Sequence, residues 1–277
     1  MYRIHYSSVP NMGDRLNKVM LEDLFGITVI RSPFFKSNMS AIGSSLETIL
    51  WSENLKSRFR QYAHYPFALK DHYVWGTGFL SSGAHKERPL IFKHTHFCAV
   101  RGELSRKRIE KIIGKELDIP TGDGGLLAER WLGKQEKKQY SVGIIPHFRE
   151  RDHSLINRIA GSYKDSVVID LTEDPQDAVR TISACNAVLS SSLHGLIVSD
   201  SFHIPNMHMI LNQYGEGLAG DGFKFSDYYS SYGMEDHPVF MKEGRWPGVD
   251  EIISGYAVDP EMVEKKKDQL YDCFPRL

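Results

Sequence analysis

The sequence predicts an α/β protein built on parallel sheets, and three observations predict it. Short apolar runs that suit buried strands, at residues 141–145, 187–189 and 206–210, alternate with segments of helical periodicity. Strands separated by helices pair in parallel through right-handed crossovers. The chain has 277 residues, long for one small core and comfortable for two domains.

Taken in order, residues 2–6 read as a first strand. Asn11-Met12-Gly13-Asp14 then turns into a helix on which Leu16, Val19, Met20 and Leu24 recur at helical spacing, with Gly26 as the stop. Residues 27–30 read as a second strand. Asp14 therefore stands at a helix N-terminus beyond a strand end, where open α/β sheets bind ligands; a simple capping role is its commoner use. Ala41-Ile42-Gly43-Ser44-Ser45 is a strand-to-glycine turn, and residues 46–62, with Leu46, Ile49, Leu50, Phe59 and Tyr62 apolar, read as a helix. Residues 73–75 form a strand ending in Gly76-Thr77-Gly78, whose glycines permit close backbone approach without making a dinucleotide fingerprint.

Residues 97–100 read as a strand, and Arg101 opens a helix that runs through Ile113, with Leu104, Ile109, Ile112 and Ile113 on one side and Gly114 as its stop. Arg106, Lys107, Arg108 and Lys111 read as its solvated face. Arg101 at this junction is either a surface residue or a bidentate clamp for an anion. His94, His96 and Cys98 share one face of a strand, but no carboxylate sits nearby in sequence and no metal site is expected. Residues 121–125 (T-G-D-G-G) are turn-rich, and residues 133–138 (G-K-Q-E-K-K) are the expected linker between domains.

The second half is more regular. The strand at 141–145 precedes a polar cluster of His147, Arg149, Arg151, Asp152 and His153. After a strand at 167–171, Asp174-Pro175 starts a helix whose apolar side is Ala178, Val179 and Ile182. Residues 188–205 read V-L-S-S-S-L-H-G-L-I-V-S-D-S-F-H-I-P, and the chain is organised around them. Ser190, Ser191 and Ser192 break the apolar run and offer an N-cap hydroxyl. A helix over 193–202 follows, stopped ahead of Pro205. Strand, polar turn and helix put backbone N–H groups and the positive helix end at the rim of a sheet, a natural anion site. His194 falls in the first turn, and Gly195 allows close approach to sheet or ligand. A serine-capped helix with a locally bonded histidine is the plain alternative. His147 and the 190–194 turn share one rim. Gly215, Gly217, Gly220 and Gly222 then lead to K-F-S-D-Y-Y at 224–229, where Lys224 either closes over a phosphate or merely starts a helix with aromatic core contacts. Asp259-Pro260 caps a last helix carrying Val263, Leu270 and Phe274.

Hydrophobic residues are 41% and charged residues 25%, with a formal net charge of -1, so no global field points to nucleic acid. Three cysteines without finger spacing argue for a reducing compartment. Residues 1–6 are too short for a signal peptide, and no apolar run is long enough to span a bilayer. A cytoplasmic protein is expected, with peripheral contact at the inner face of the membrane left open.

Seven blocks together resemble the polysaccharide pyruvyl transferase family: N-M-G-D (11–14), W-G-T-G-F (75–79), R-G-E-L-S (101–105), G-D-G-G (122–125), I-I-P-H (144–147), S-S-L-H-G (191–195) and K-F-S-D-Y-Y (224–229). The resemblance covers residues 1–233 and leaves the last forty-odd residues aside. It implies two Rossmann-like domains facing a cleft, as in glycosyltransferases of the B type. Residues 1–133 would form the acceptor side, 139–258 the donor side and 259–277 a C-terminal helix. It also implies transfer of pyruvate from phosphoenolpyruvate to a hydroxyl pair on a bacterial exopolysaccharide or cell-surface glycan precursor, free or lipid-linked, giving a ketal and phosphate. Neither metal nor further cofactor is expected.

Within that scheme His194 is the expected general acid/base and Asp14 a second catalytic group, with His147 orienting sugar hydroxyls. Arg101, Ser191, Ser192, Leu193, Lys224, His147, Arg149, Gly13 and Gly76 are the expected substrate contacts. Ser192 stands where the family often carries arginine, so the cation facing the donor must be Arg101, Lys224 or Arg149. The rival reading is a glycosyltransferase of the B type using a nucleotide sugar, with Glu216 as its ribose contact. A non-enzymatic carbohydrate-binding protein is the third.

Overall fold

The structure, a computed structural model, describes residues 1–277 apart from 10, 53, 65–70, 84–86, 90–93, 212–219 and 243. Glu216, Gly215 and Gly217 lie outside the described residues. The first half contains β1 (Tyr2–Ile4), β2 (Val29–Arg31), β3 (Met39–Ser40), β4 (Gly43–Ser44), β5 (Asp71–Val74), β6 (Thr77–Gly78) and β7 (His94–Phe97). Five of these make one sheet in the order β2-β1-β3-β5-β7, and β4 pairs with β6 just beyond the ends of β3 and β5. The second half contains β8 (Tyr140–Ile145), β9 (Val167–Val168), β10 (Cys185–Ser190), β11 (Asn206–Ile210) and β12 (Val239–Phe240), in the order β12-β11-β10-β8-β9. All the pairings between these strands are parallel, as the alternation of strands and helices requires.

The helices are α1 (Met12–Phe25), α2 (Leu55–His64), α3 (Glu103–Ile113), α4 (Ala128–Leu132), α5 (Ser154–Gly161), α6 (Pro175–Ser183), α7 (Leu193–Ser201), α8 (Phe223–Ser230), α9 (Val249–Gly255) and α10 (Pro260–Asp272). Local chemistry sets their ends. Gly26 closes α1 in the left-handed region at φ 61°, a conformation that costs glycine little. Asp174 and Asp259 each cap a helix whose first residue is proline, accepting bonds from first-turn amides.

Five expectations shift. The strand read at 97–100 is β7, three residues earlier. Arg101 precedes α3 instead of opening it, because Gly102 is the extended N-cap. In α3 the buried side is Ser105 and Ile109, with Leu104 and Ile113 exposed. Arg108 is not a solvated charge: its guanidinium pairs with Glu87 and lies 3.7 Å from the Phe79 ring centroid. The single helix read over 46–62 is a 3₁₀ turn at Leu46–Ile49 followed by α2, which buries none of its side chains.

One hydrophobic cluster runs through both halves, from Met12, Leu16 and Met20 of α1 through Leu126 and Leu127 to Leu196 and Ile197 of α7. The C-terminal helix fastens the halves further. The Trp75 indole donates to the Leu270 carbonyl (2.9 Å), Lys266 to the Thr121 carbonyl (2.8 Å) and Lys267 to the Ser201 carbonyl (2.6 Å). The Met12 amide donates to the Leu171 carbonyl (2.8 Å), tying the start of α1 to the second half. All three cysteines are free. Among the described residues no helix is long and apolar enough to cross a membrane.

Candidate functional site

The carboxyl ends of β8 and β10 meet the start of α1 and the β4 strand around a cleft with a cavity volume of 230 Å³. Ser7, Asn11 and Asp14 line it on one side, Gly43, Ser44 and Leu80 beside them, and His147, Phe148, Arg149, Ser192, Leu193, His194 and Lys224 opposite. The structure thus brings Asp14, His147, Arg149, Ser192, Leu193, His194 and Lys224 together from four separate segments.

The centre is the turn from β10 into α7. The Ser190 hydroxyl accepts from the Ser192 amide (3.0 Å) and donates to the Ser192 carbonyl (2.8 Å), folding the serine trio back on itself. Gly195 permits this, since a Cβ there would lie 2.3 Å from Ser190 Oγ. Ser192 is the N-cap, but its side chain makes no capping bond, contrary to the sequence expectation. The amides of Leu193 and His194 therefore keep no intrahelical acceptor and no hydroxyl cap at a positive helix end. Ser191 is buried behind this turn. Its hydroxyl donates to Glu150 Oε2 (2.6 Å) and accepts from the His147 amide (2.9 Å), locking the β8 and β10 loops together.

His194 is 8% exposed, and its buried Nε2 has no hydrogen-bond partner among the described residues. Gly13 lies directly against the ring: a Cβ there would come within 2.2 Å of His194 Cε1 and Nδ1. Gly13 is thus a seat for the imidazole and lies outside the described cleft lining. Gly76 is likewise removed from the cleft lining. It sits at φ +65°, where a Cβ would meet the Gly124 amide nitrogen at 2.7 Å.

Arg101, expected to face an anion, is fully buried and engaged. Its Nε donates to Asp227 Oδ2 (2.9 Å), Nη1 to Ser44 Oγ (2.8 Å) and Nη2 to the Phe79 carbonyl, and Asp227 also accepts from the Ser105 amide and hydroxyl (2.7 Å each). This network holds the Ser44 wall of the cleft to α8, whose first turn carries Lys224. Among the described residues no hydrogen bond or ion pair holds the Lys224 ammonium, which lies 5.0 Å from the Phe225 ring centroid.

Burial inverts the usual order of basicity here. Desolvation, then the nearby cations led by Lys224, pushes His147 and His194 down to about 3, so both are neutral near pH 7. Burial pushes Asp14 up to about 6, although the Ser7 amide donates to it (3.2 Å). Lys224 is lowered to about 8 by burial and then by Arg101. Burial raises Asp123 to about 7; its Oδ1 accepts from the Gly125 amide (2.9 Å) and its Oδ2 has no partner among the described residues.

Sequence reasoning missed Glu150, Asp123 and Asp227 as parts of this site. Glu150 and Asp227 act through partners 41 and 126 residues away, a pairing that no local pattern displays. Asp123 was visible only as one residue of a glycine-rich turn.

The sequence profile of the family described as polysaccharide pyruvyl transferase matches residues 11–212. Among the described residues, the match includes every one that lines the cleft except Ser7, Val9 and Lys224. The chain is also similar to "Uncharacterized protein L143" of Acanthamoeba polyphaga mimivirus, 28% identical over 229 residues, which cover 81% of this chain and 72% of that protein.

Proposed function

The chain belongs to the polysaccharide pyruvyl transferase family, and we propose that it transfers pyruvate from phosphoenolpyruvate onto two hydroxyls of a glycan, forming a cyclic ketal and releasing phosphate. The observation that carries this reading is the anion-ready end of α7, with two uncapped amides, in one cleft with an ammonium that no hydrogen bond or ion pair holds among the described residues. A small donor bearing both a carboxylate and a phosphate suits such a site. The arrangement supports two lobes, residues 1–133 toward the acceptor and 139–258 toward the donor, with 259–277 as the tie between them.

In this reading the donor methylene carbon takes a proton, and the adjacent carbon becomes an electrophile like an oxocarbenium ion. One sugar hydroxyl attacks that carbon and gives up its proton. The carbon–oxygen bond to phosphate then breaks, and the second hydroxyl closes the ketal as its proton goes to the departing phosphate or to a cleft base. His194 is positioned beside the donor. Its imidazole is neutral near pH 7, and the charge of a bound dianion raises its proton affinity. Asp14, whose carboxyl burial pushes up to about 6, lines the same cleft and suits the hydroxyl side. Lys224 and Arg149 are the cations at the donor, in place of the arginine absent at Ser192, while Arg101 positions rather than binds.

The test is phosphate release from phosphoenolpyruvate with a panel of glycan acceptors, followed across pH. Turnover with a nucleotide sugar and none with phosphoenolpyruvate would overturn the reading in favour of glycosyl transfer. The charged form of Lys224 binds the donor, so donor affinity is full below the Lys224 value of about 8 and falls as pH rises through it. Lys224→Arg, charged throughout, should remove that alkaline loss.

A further inference from the structure

Two histidines and an aspartate converge at the amino ends of β5 and β7, the opposite end of the first sheet from the cleft. Parallel pairing sets Asp71 opposite His94 and Tyr73 opposite His96. The two-residue period of a strand places His94 and His96 on one face. His96 Nε2 lies 3.0 Å and His94 Nδ1 3.8 Å from the same oxygen, Asp71 Oδ1. One donor atom from each residue lies within 4.8 Å of the other two. The His96 ring stacks on Tyr73, with centroids 4.7 Å apart and planes at 18°, which fixes its orientation.

Sequence alone excluded a metal here for want of a carboxylate. Strand pairing supplies one from 23 residues upstream of His94. Around a tetrahedral zinc ion with bonds of about 2.0–2.1 Å, neighbouring donors sit about 3.3–3.4 Å apart, and the two distances observed bracket that spacing. An exposed ion pair needs only one imidazole and contributes little. Two imidazole nitrogens gathered on one carboxylate oxygen, from backbone positions fixed by a sheet, make a three-donor set.

We propose that Asp71, His94 and His96 form a surface site for a divalent transition-metal ion, zinc foremost, with the fourth position open to water. Binding ties β7, the outermost strand, to β5, and so stabilises the folded chain in proportion to zinc occupancy.

The experiment titrates zinc chloride into the full chain against a chromophoric chelator, with thermal unfolding in zinc and in chelator. One ion per chain is expected, with a raised Tm. His94→Ala and His96→Ala should each weaken binding about tenfold or more, since even outer-shell changes cost about 10–100-fold. Their Tm in chelator should stay at the parental value, because all three side chains are exposed. Cys98→Ser should bind zinc like the parent, and the cobalt-loaded protein should show tetrahedral d–d absorption without a thiolate charge-transfer band. Absence of saturable zinc binding overturns the proposal. So does equally tight binding by the His94→Ala/His96→Ala double variant, or loss of binding in Cys98→Ser.

Discussion

His194→Ala should lower phosphate release from phosphoenolpyruvate by about 10²–10⁴ while the chain stays folded. Among the described residues nothing bonds the buried Nε2, so truncation strands no partner there. The rate loss and the fold are therefore separable, by steady-state kinetics on one side and circular dichroism on the other. The variant should also resist acid better. In the folded chain His194 titrates at about 3, against an ordinary value of 6.5, so between those values the unfolded chain binds a proton that the folded chain refuses. Stability is complete above pH 6.5 and is lost as pH falls toward 3, and removing His194 removes its share of that loss. Near-normal turnover in His194→Ala, with a large loss in Asp14→Asn, would move the proton transfer to Asp14.

Arg101→Met should destabilise the chain by about 3–5 kcal/mol, since it leaves the Asp227 carboxylate buried without its cation. Both side chains are fully buried, so solvent screening does not soften the loss. Urea unfolding measures it. The double variant Arg101→Met/Asp227→Leu should be more stable than the sum of the single losses predicts, because it buries no unpaired charge. A loss below about 1 kcal/mol for Arg101→Met, the range of exposed pairs, would contradict the account of this network. Donor affinity should fall along with stability, since Asp227 holds the helix that presents Lys224.

The sequence displayed the parts of the fold that local chemistry decides. The alternation in the second half, the strand at 206–210, the two aspartate-proline caps and the glycine stop of α1 all follow from periodicity or turn preference, and all are present. The β7 strand was displaced because it is an edge strand whose residues are exposed or half-buried, so it shows no apolar run. The apolar residues of the expected strand, Ala99 and Val100, are buried in the turn beyond it, where Val100 bridges Thr77. The rim of the site was legible because strand ends in a parallel sheet share a side. The duties of individual residues were not. Arg101 reads identically whether it faces an anion or is buried against Asp227. Gly13 reads as a ligand-facing turn until the His194 ring is placed on it. Asp71 belongs with His94 and His96 only through strand register.

The claim that a small dianion docks at the start of α7 beside Lys224 is tested most directly by calorimetric titration of phosphoenolpyruvate at pH 7. The parent chain should bind one equivalent, and Lys224→Met, folded, should bind at least tenfold more weakly. Absence of binding by the parent chain, or equal affinity in Lys224→Met, would contradict it.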